Sequence, residues 1–268
     1  MTTMQAEIIK DSVGPSSKRI TTFQLRYPRF IHAEFMTHRM FSRNASSSRA
    51  VPVARMIADV EADPVVPLFW GKNQPGMQAR EELSSTPRDF CWLEWNTAMH
   101  AAINAAYKMA RIGAHKQIIN RILEPYSHIN VVCTATEWDN FFALRMHEDA
   151  EPHINLLATI MHQAMRDSTP QPLQAGEWHL PYVDKDMPLE TALKVSTSRC
   201  ARVSYMTHDQ QPSTVEKDVA LAEKLMAQVP MHASPMEHQA MAWRVDQQFS
   251  NFRGFQSYRN RLEWSGLA

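Results

Sequence analysis

Thr37-His38-Arg39-Met40-Phe41-Ser42-Arg43-Asn44-Ala45-Ser46-Ser47-Ser48-Arg49 packs three arginines, a histidine, an asparagine and four serines into thirteen residues, with no Lys, Asp or Glu among them. Each guanidinium offers a planar fork of donors, and serine hydroxyls complete such a cradle. A stretch so rich in donors and so poor in acceptors suits an anionic ligand. A solvated basic loop, or one that touches nucleic acid, is the other reading of the same composition.

The surrounding chain narrows these readings. Its 268 residues can bury a sizeable core, and 28 basic residues balance 28 acidic ones. Proteins that hold nucleic acid by bulk charge carry an excess of Lys and Arg, so the basic stretch reads as a local site and nucleic acid as an unlikely partner. Cys91, Cys133 and Cys200 are far apart and show no zinc spacing, which fits a reducing compartment and no metal. Met1 to Lys18 lacks the apolar core of a signal peptide, and no run approaches the roughly 20 apolar residues of a membrane span. The expectation is a soluble, cytoplasmic protein. Only 7 Gly beside 17 Met argues for compact helical packing.

Outward from the stretch, Arg19–Arg26 alternates and is β-branched, and predicts a strand. Phe30–Met40 predicts a helix leading into the stretch, which Pro52 closes. Val53–Val60 predicts a short helix. Thr86–Ile112 predicts a long one, with Trp92, Trp95, Met99, Ala102, Ile103, Ala106 and Met109 as its core stripe and Gly113 as C-cap. His115–Glu124 predicts another helix and Ile129–Cys133 a strand. Thr134–Glu137 fits a capping box for a helix to about His147, in which Arg145 and Asp149 stand one turn apart. Pro152–Met165 and Val215–Val229 predict helices, and Gly176–Tyr182 a loop. Cys200 reads as core.

The opening stretch resembles the signature of the flavin-dependent thymidylate synthases, Arg-His-Arg-x-x-Ser-x-Asn-Glu-x-Ser-x-Arg. His38, Arg39, Ser42, Asn44, Ser47 and Arg49 match it, while Thr37 and Ala45 depart from it. Arg121-Ile-Leu-Glu-Pro125 resembles the family's Arg-x-x-x-Pro segment, and Asn140-Phe-Phe-Ala-Leu-Arg145 its Asn-Phe-Leu-x-Leu-Arg segment. Ala201-Arg-Val-Ser-Tyr205 resembles a strand, and Ser234-Pro-Met-Glu-His238 the segment after it, that open the chain in relatives, so the motif order looks circularly permuted and Ala201–Tyr205 is expected as a strand of the same sheet.

The resemblance implies an α/β (α+β) fold with a central mixed or antiparallel sheet and flanking long helices. It implies one domain over 1–268, with signature loop and helical body at 19–165 and a permuted sheet and FAD-pocket segment at 166–268. The implied reaction is reductive methylation of dUMP to dTMP with FAD, NADPH and methylenetetrahydrofolate. By the same resemblance, His38, Arg39, Ser42, Asn44, Asn140, Asp149 and His238 would hold the flavin. Glu34, Ser47, Arg49, Arg121 and Arg145 would hold the pyrimidine deoxynucleotide, with Arg145 the catalytic group. Asp149 stands where many relatives carry a flavin-contacting His, and Glu34 where they carry a Gln. The family builds its sites between subunits of a homotetramer. Two alternatives stay open: a related methylase or hydroxymethylase acting on dCMP or dUMP, and a nucleic-acid-binding or structural protein. A structural Arg145–Asp149 pair, a core role for His38 and a capping role for Ser47 are the non-functional readings of those residues.

Overall fold

The computed structural model describes residues 3–183, 187–204 and 211–266. Strands β1 (Gln5–Val13) and β2 (Arg19–Pro28) form an antiparallel pair. β3 (Ser42–Ala45) and β4 (His128–Ala135) extend the sheet on the β2 side, and β5 (Gln171–Pro172) runs parallel to β1. The order β3-β4-β2-β1-β5 is that of a mixed sheet, with β3 at one edge. The β1 strand carries no clean alternation, and its register shifts between Ile8 and Lys10, which hides it from a period-two reading.

Helices fill the connections. A single turn, α1 (His32–Phe35), follows β2. Between β3 and β4 come α2 (Val53–Ala62), α3 (Ser85–Arg111) and α4 (Lys116–Ile119), the last running into a 3₁₀ segment, Asn120–Tyr126. After β4 come α5 (Asp139–Arg145) and α6 (Pro152–Asp167). The start of α6 follows from local chemistry. Pro152 occupies the first turn, and the Glu151 carboxylate accepts from the His153 and Ile154 amides at 2.9 and 3.1 Å.

The sheet has two unlike faces. On the first, Phe23, Leu25, Tyr27, Ile129, Val131 and Cys133 meet Phe141, Ile154, Leu157 and Met161 of α5 and α6 in the main core. Each such side chain contributes about 1.5–3 kcal/mol by leaving water. The second face is polar at its centre, where Thr22 stands opposite Thr134. It is covered by residues from beyond position 172. These form β6 (Trp178–His179), α7 (Leu189–Arg202), α8 (Val215–Met226) and β7 (Ala240–Ala242). A small hairpin, β8 (Gln248–Phe249) with β9 (Phe252–Arg253), then leads to β10 (Phe255–Ser257) and α9 (Tyr258–Trp264). A separate cluster ties α2 to α3 through Met56, Ile57, Val60, Met99, Ile103 and Ala106. Among the described residues no helix is long and apolar enough to cross a membrane.

Several expectations are corrected. The Phe30–Met40 helix shrinks to α1, because Arg43 Nη1 takes the Met36 and His38 carbonyls and Thr37 Oγ1 takes that of Glu34. The Thr134–Glu137 capping box does not form. Thr134 lies within β4 with its hydroxyl in the sheet face, and α5 stops at Arg145. His115–Glu124 is helical only to Ile119, after which the chain narrows to 3₁₀ geometry around Pro125. Residues 201–204 are not a strand of the sheet. They end α7, where Val203 takes a left-handed φ of 58°, and Tyr205 lies outside the described residues. Gly176–Tyr182 contains the short strand β6. Trp92 stays half-exposed on α3 rather than joining its core stripe.

The α7–α8 pair turns on one fully buried carboxylate. Asp218 accepts from Arg199 Nε at 2.9 Å and Ser213 Oγ at 2.6 Å, and also pairs with Arg202. Asp218→Ala removes the carboxylate partner of two largely buried guanidinium groups and should cost roughly 3–5 kcal/mol. Urea denaturation of variant and wild type measures this; a loss below 1 kcal/mol would show that the triad does not hold the pair.

Candidate active site

Three groups of polar side chains lie along the edge strand β3. At its start, the loop after α1 brings Thr37 and His38 to the last turn of α5. The His38 ring stacks on Phe41 and meets Phe141 edge-on. Its Nε2 accepts from Arg145 Nε at 2.9 Å, so the ring is neutral with its proton on Nδ1. Burial, then Arg145 and Arg43, push its pKa down to about 4. Arg145 also reaches Thr37 Oγ1 at 3.3 Å and Glu34 Oε2 at 3.7 Å. Burial, then Glu151, raises the Glu34 carboxyl above its ordinary range, with Arg145 opposing.

Asp149 does not face Arg145. The helix ends at Arg145, so the one-turn spacing is never realised, and Asp149 pairs with Arg80 at 2.7 Å. Arg39 follows His38 on the surface, and Asn140 is exposed in the first turn of α5.

At the centre of β3, Ser42 and Asn44 turn to the second sheet face. Ser42 is buried, accepts from Asn251 Nδ2 at 3.4 Å, and borders a cavity of about 250 Å³ lined also by Glu237, Arg259 and Asn260. The Asn44 amide lies 3.0 Å from His238 Nε2 and 3.4 Å from Ser234 Oγ. His238 Nδ1 lies 2.8 Å from Thr134 Oγ1. The His238 side chain is fully buried, both of its ring nitrogens have partners within the protein, and burial pushes its pKa down to about 3.

Beyond β3, Ser46–Arg49 form a turn. Ser47 Oγ accepts from the Arg49 amide at 3.3 Å, and both residues are exposed. Ser48 Oγ donates to Glu124 at 2.6 Å, and Arg121 Nη1 donates to the same carboxylate at 3.1 Å. Arg29 Nη2 donates to the Ser46 carbonyl at 3.2 Å.

The structure therefore joins Glu34, His38 and Arg145 in one group and Ser42, Asn44 and His238 in a second. It ties the Ser47–Arg49 turn to Arg121 in a third. Within one chain these groups do not merge: β3 stands between the first and the second, and the third lies past its end. The sequence reading missed Asn251 and Glu124 as neighbours, and also Thr22, Thr134 and His179. Thr22, Glu124 and Thr134 fall in segments read for other reasons, and none of the five carries a local pattern that marks it as a neighbour of the site.

A family model described as "Thymidylate synthase complementing protein" matches residues 17–171, more than half of the chain. The chain belongs to the flavin-dependent thymidylate synthase family. Two solved structures share the family's fold with it. A UMP/dUMP methylase, PolB, from Streptomyces cacaoi bound with 5-Br UMP has a TM-score of 0.51 at 18% identity, covering 62% of this chain and 89% of that one. The same methylase bound with 5-Br dUMP has a TM-score of 0.50 at 16% identity, covering 62% and 90%. At such identities the likeness is one of fold. A search of curated proteins gives no significant match. The family match spans the signature, Arg121 and Arg145, and ends before the layer that holds His238.

The lowered histidine pKa values set a pH dependence. A group that binds its proton more weakly when folded destabilises the fold as pH falls. Unfolded His38 and His238 take up protons below about pH 6.5, while the folded rings resist until about pH 4 and 3. Stability should be full above pH 6.5 and decline from there toward pH 4. Urea midpoints across this window should show the slope, and His38→Asn should remove part of it. An unchanged slope in the variant would contradict a neutral His38 beside Arg145.

Proposed function

We propose that the protein is a flavin-dependent C5 methylase of a uridylate-type deoxynucleotide, converting dUMP to dTMP with FAD, NADPH and methylenetetrahydrofolate. The observation that carries this reading is Arg145. It is held by a neutral histidine at Nε, with its terminal nitrogens on the outer side beside Thr37 and Glu34. A guanidinium fixed in this way stabilises negative charge as it develops on a pyrimidine ring, without reorganising at the moment of reaction. Glu34, 3.7 Å away, supplies an acceptor for a ring N–H. No thiolate competes for the role among the interior cysteines: Cys133 and Cys200 are fully buried with their thiols pushed up by burial.

The donors on and around β3 fit a flavin dinucleotide by their chemistry. Arg39, Arg43, Asn44 and Asn140 bring donors of the kind that suit a diphosphate and a ring bearing carbonyl oxygens. When bound, the flavin supplies the redox step. Ser47, Arg49 and Arg121 would hold the nucleotide phosphate, Arg121 exchanging its present carboxylate partner for it. The separation of the three groups along one edge supports a site completed between subunits of a homotetramer. So do the exposed Phe90, Trp92, Leu93 and Tyr107 on α3. Glu34 also favours a second reading, since its carboxylate would accept equally from the amino group of dCMP.

FAD titration should give a bound flavin spectrum, and a colourless protein that leaves free flavin fluorescence unchanged would end this reading. Arg145→Ala should retain that spectrum yet lose about 100-fold or more in turnover. Arg49→Ala and Arg121→Ala should each weaken dUMP about ten- to a hundredfold by calorimetry. Calorimetry with dCMP separates the two substrates, tighter dCMP binding favouring the second.

A further inference from the structure

Six buried or half-buried polar groups line up across the second sheet face. His179 Nδ1 lies 2.9 Å from Ser12 Oγ, and its Nε2 lies 2.8 Å from Thr22 Oγ1. Thr22 Oγ1 lies 2.7 Å from Thr134 Oγ1. Thr134 Oγ1 meets His238 Nδ1 at 2.8 Å, and His238 Nε2 meets the Asn44 amide at 3.0 Å. The line crosses β1, β2, β4 and β3 in their order in the sheet. All of its members except Asn44 are fully buried.

We infer that Ser12, His179, Thr22, Thr134 and His238 form a single directional hydrogen-bond chain whose direction is locked to the orientation of the Asn44 amide, so that all five are positioning residues for Asn44. The direction follows from proton counting. Each hydroxyl has one proton to give, and each neutral ring has one N–H. Every junction needs one donor and one acceptor, and a threonine hydroxyl that accepted at both of its junctions would leave its own proton unpaired in the interior, so the members all donate toward Ser12 or all donate toward Asn44. Asn44 decides between the two. One of its amide atoms faces the Ser234 carbonyl at 3.1 Å, the Arg43 carbonyl at 3.2 Å and His238 Nε2 at 3.0 Å. Two carbonyl oxygens beside one atom require that atom to be the nitrogen. Asn44 therefore donates to His238 Nε2. His238 carries its proton on Nδ1 and donates to Thr134, which donates to Thr22. Thr22 donates to His179 Nε2, and His179 Nδ1–H donates to Ser12.

The rings stay uncharged, since burial drives the pKa of both far below neutrality. No junction can be reversed alone, because a single reversal either opposes two like groups at a ring nitrogen or leaves a threonine hydroxyl proton unpaired in the interior. The amide oxygen of Asn44 is thereby held on the side of Ser234 Oγ, as an acceptor for a ligand that brings an N–H or O–H donor. That last step rests on the reading of Asn44 as cofactor-facing; the chain itself does not.

Nitrogen-15 NMR of histidine-labelled protein tests the chain directly. His179 and His238 should both be Nδ1–H tautomers at pH 8, and an Nε2–H tautomer on either overturns the assignment. Asn44→Asp replaces the donor with an acceptor of the same shape. It should switch His238 to Nε2–H and, through two threonines, switch His179 as well. In Thr22→Val the chain is cut, so adding Asn44→Asp should switch His238 alone; Thr22→Ser, which keeps the hydroxyl, should restore the switch at His179. A His179 signal unmoved by Asn44→Asp in the otherwise native protein overturns the coupling. FAD titration of Asn44→Asp should show affinity reduced about fivefold or more, as for one lost hydrogen bond. If the wild-type protein binds no flavin while the tautomers behave as stated, the cofactor reading fails and the chain stands.

Discussion

Thr22 and Thr134 face each other in the middle of the sheet, hydroxyl to hydroxyl at 2.7 Å, on strands that are completely buried there. Two hydroxyls can satisfy only one junction between themselves. The other end of each must find a partner, since an unpaired buried polar group costs about 1–3 kcal/mol. Those partners are His179 and His238, which arrive from sequence positions more than a hundred residues away. The layer from β6 to α9 is thus seated on the sheet by a polar match at its centre, with apolar contacts around it such as Ile20 against Phe252 and Phe255. Apolar packing tolerates sliding; a chain of paired donors and acceptors tolerates one register. Specific seating of this layer follows from the polar line and its strength from the apolar rim.

The same constraint explains what could be read in the sequence and what could not. Strand β2 and helices α3 and α6 were legible because each has a periodic apolar face and clear terminators, such as Glu151-Pro152 before α6 and Gly113 after α3. The signature on β3 was legible because its spacing is local. The layer over the second face was not. Its strands are two or three residues long, too short for any period to show. Thr134 read as a helix cap, because Thr followed three residues later by Glu137 has that form; its hydroxyl was already committed within the sheet. Ala201–Tyr205 read as a strand on five residues of resemblance, while the preceding turns carried the apolar spacing of a helix through Ala192, Val195 and Cys200.

The site shows a similar division. His38 and Arg145 were singled out separately, but their direct bond was not foreseen, because it depends on α5 ending at Arg145 rather than two residues later. That ending removes Asp149 as a partner and leaves the guanidinium to His38, Thr37 and Glu34. Glu34 and Thr37 are two of the positions at which the chain departs from the family pattern, and both lie within reach of Arg145. Two of the four departures thus lie beside Arg145, while Asp149 pairs with Arg80 and Ala45 lies between the matched Asn44 and Ser47.

The position of β3 gives these groups a common geometry. It is an edge strand of four residues with one neighbour, and among the described residues no strand faces its outer backbone groups. A short edge is a poor contributor to stability, yet it lets one segment present side chains to both faces of the sheet and, at its end, to the turn at Ser46–Arg49. Arg43 goes to the α5 side, where it holds the His38 carbonyl at 2.6 Å, and Asn44 goes to the His238 side. Successive residues on one strand thus bind the two halves of the polar architecture to each other. A change that alters the twist of β3 moves the Arg145 group and the Asn44 group together, and so the electrostatic group and the amide that the buried chain orients are set by a single piece of backbone.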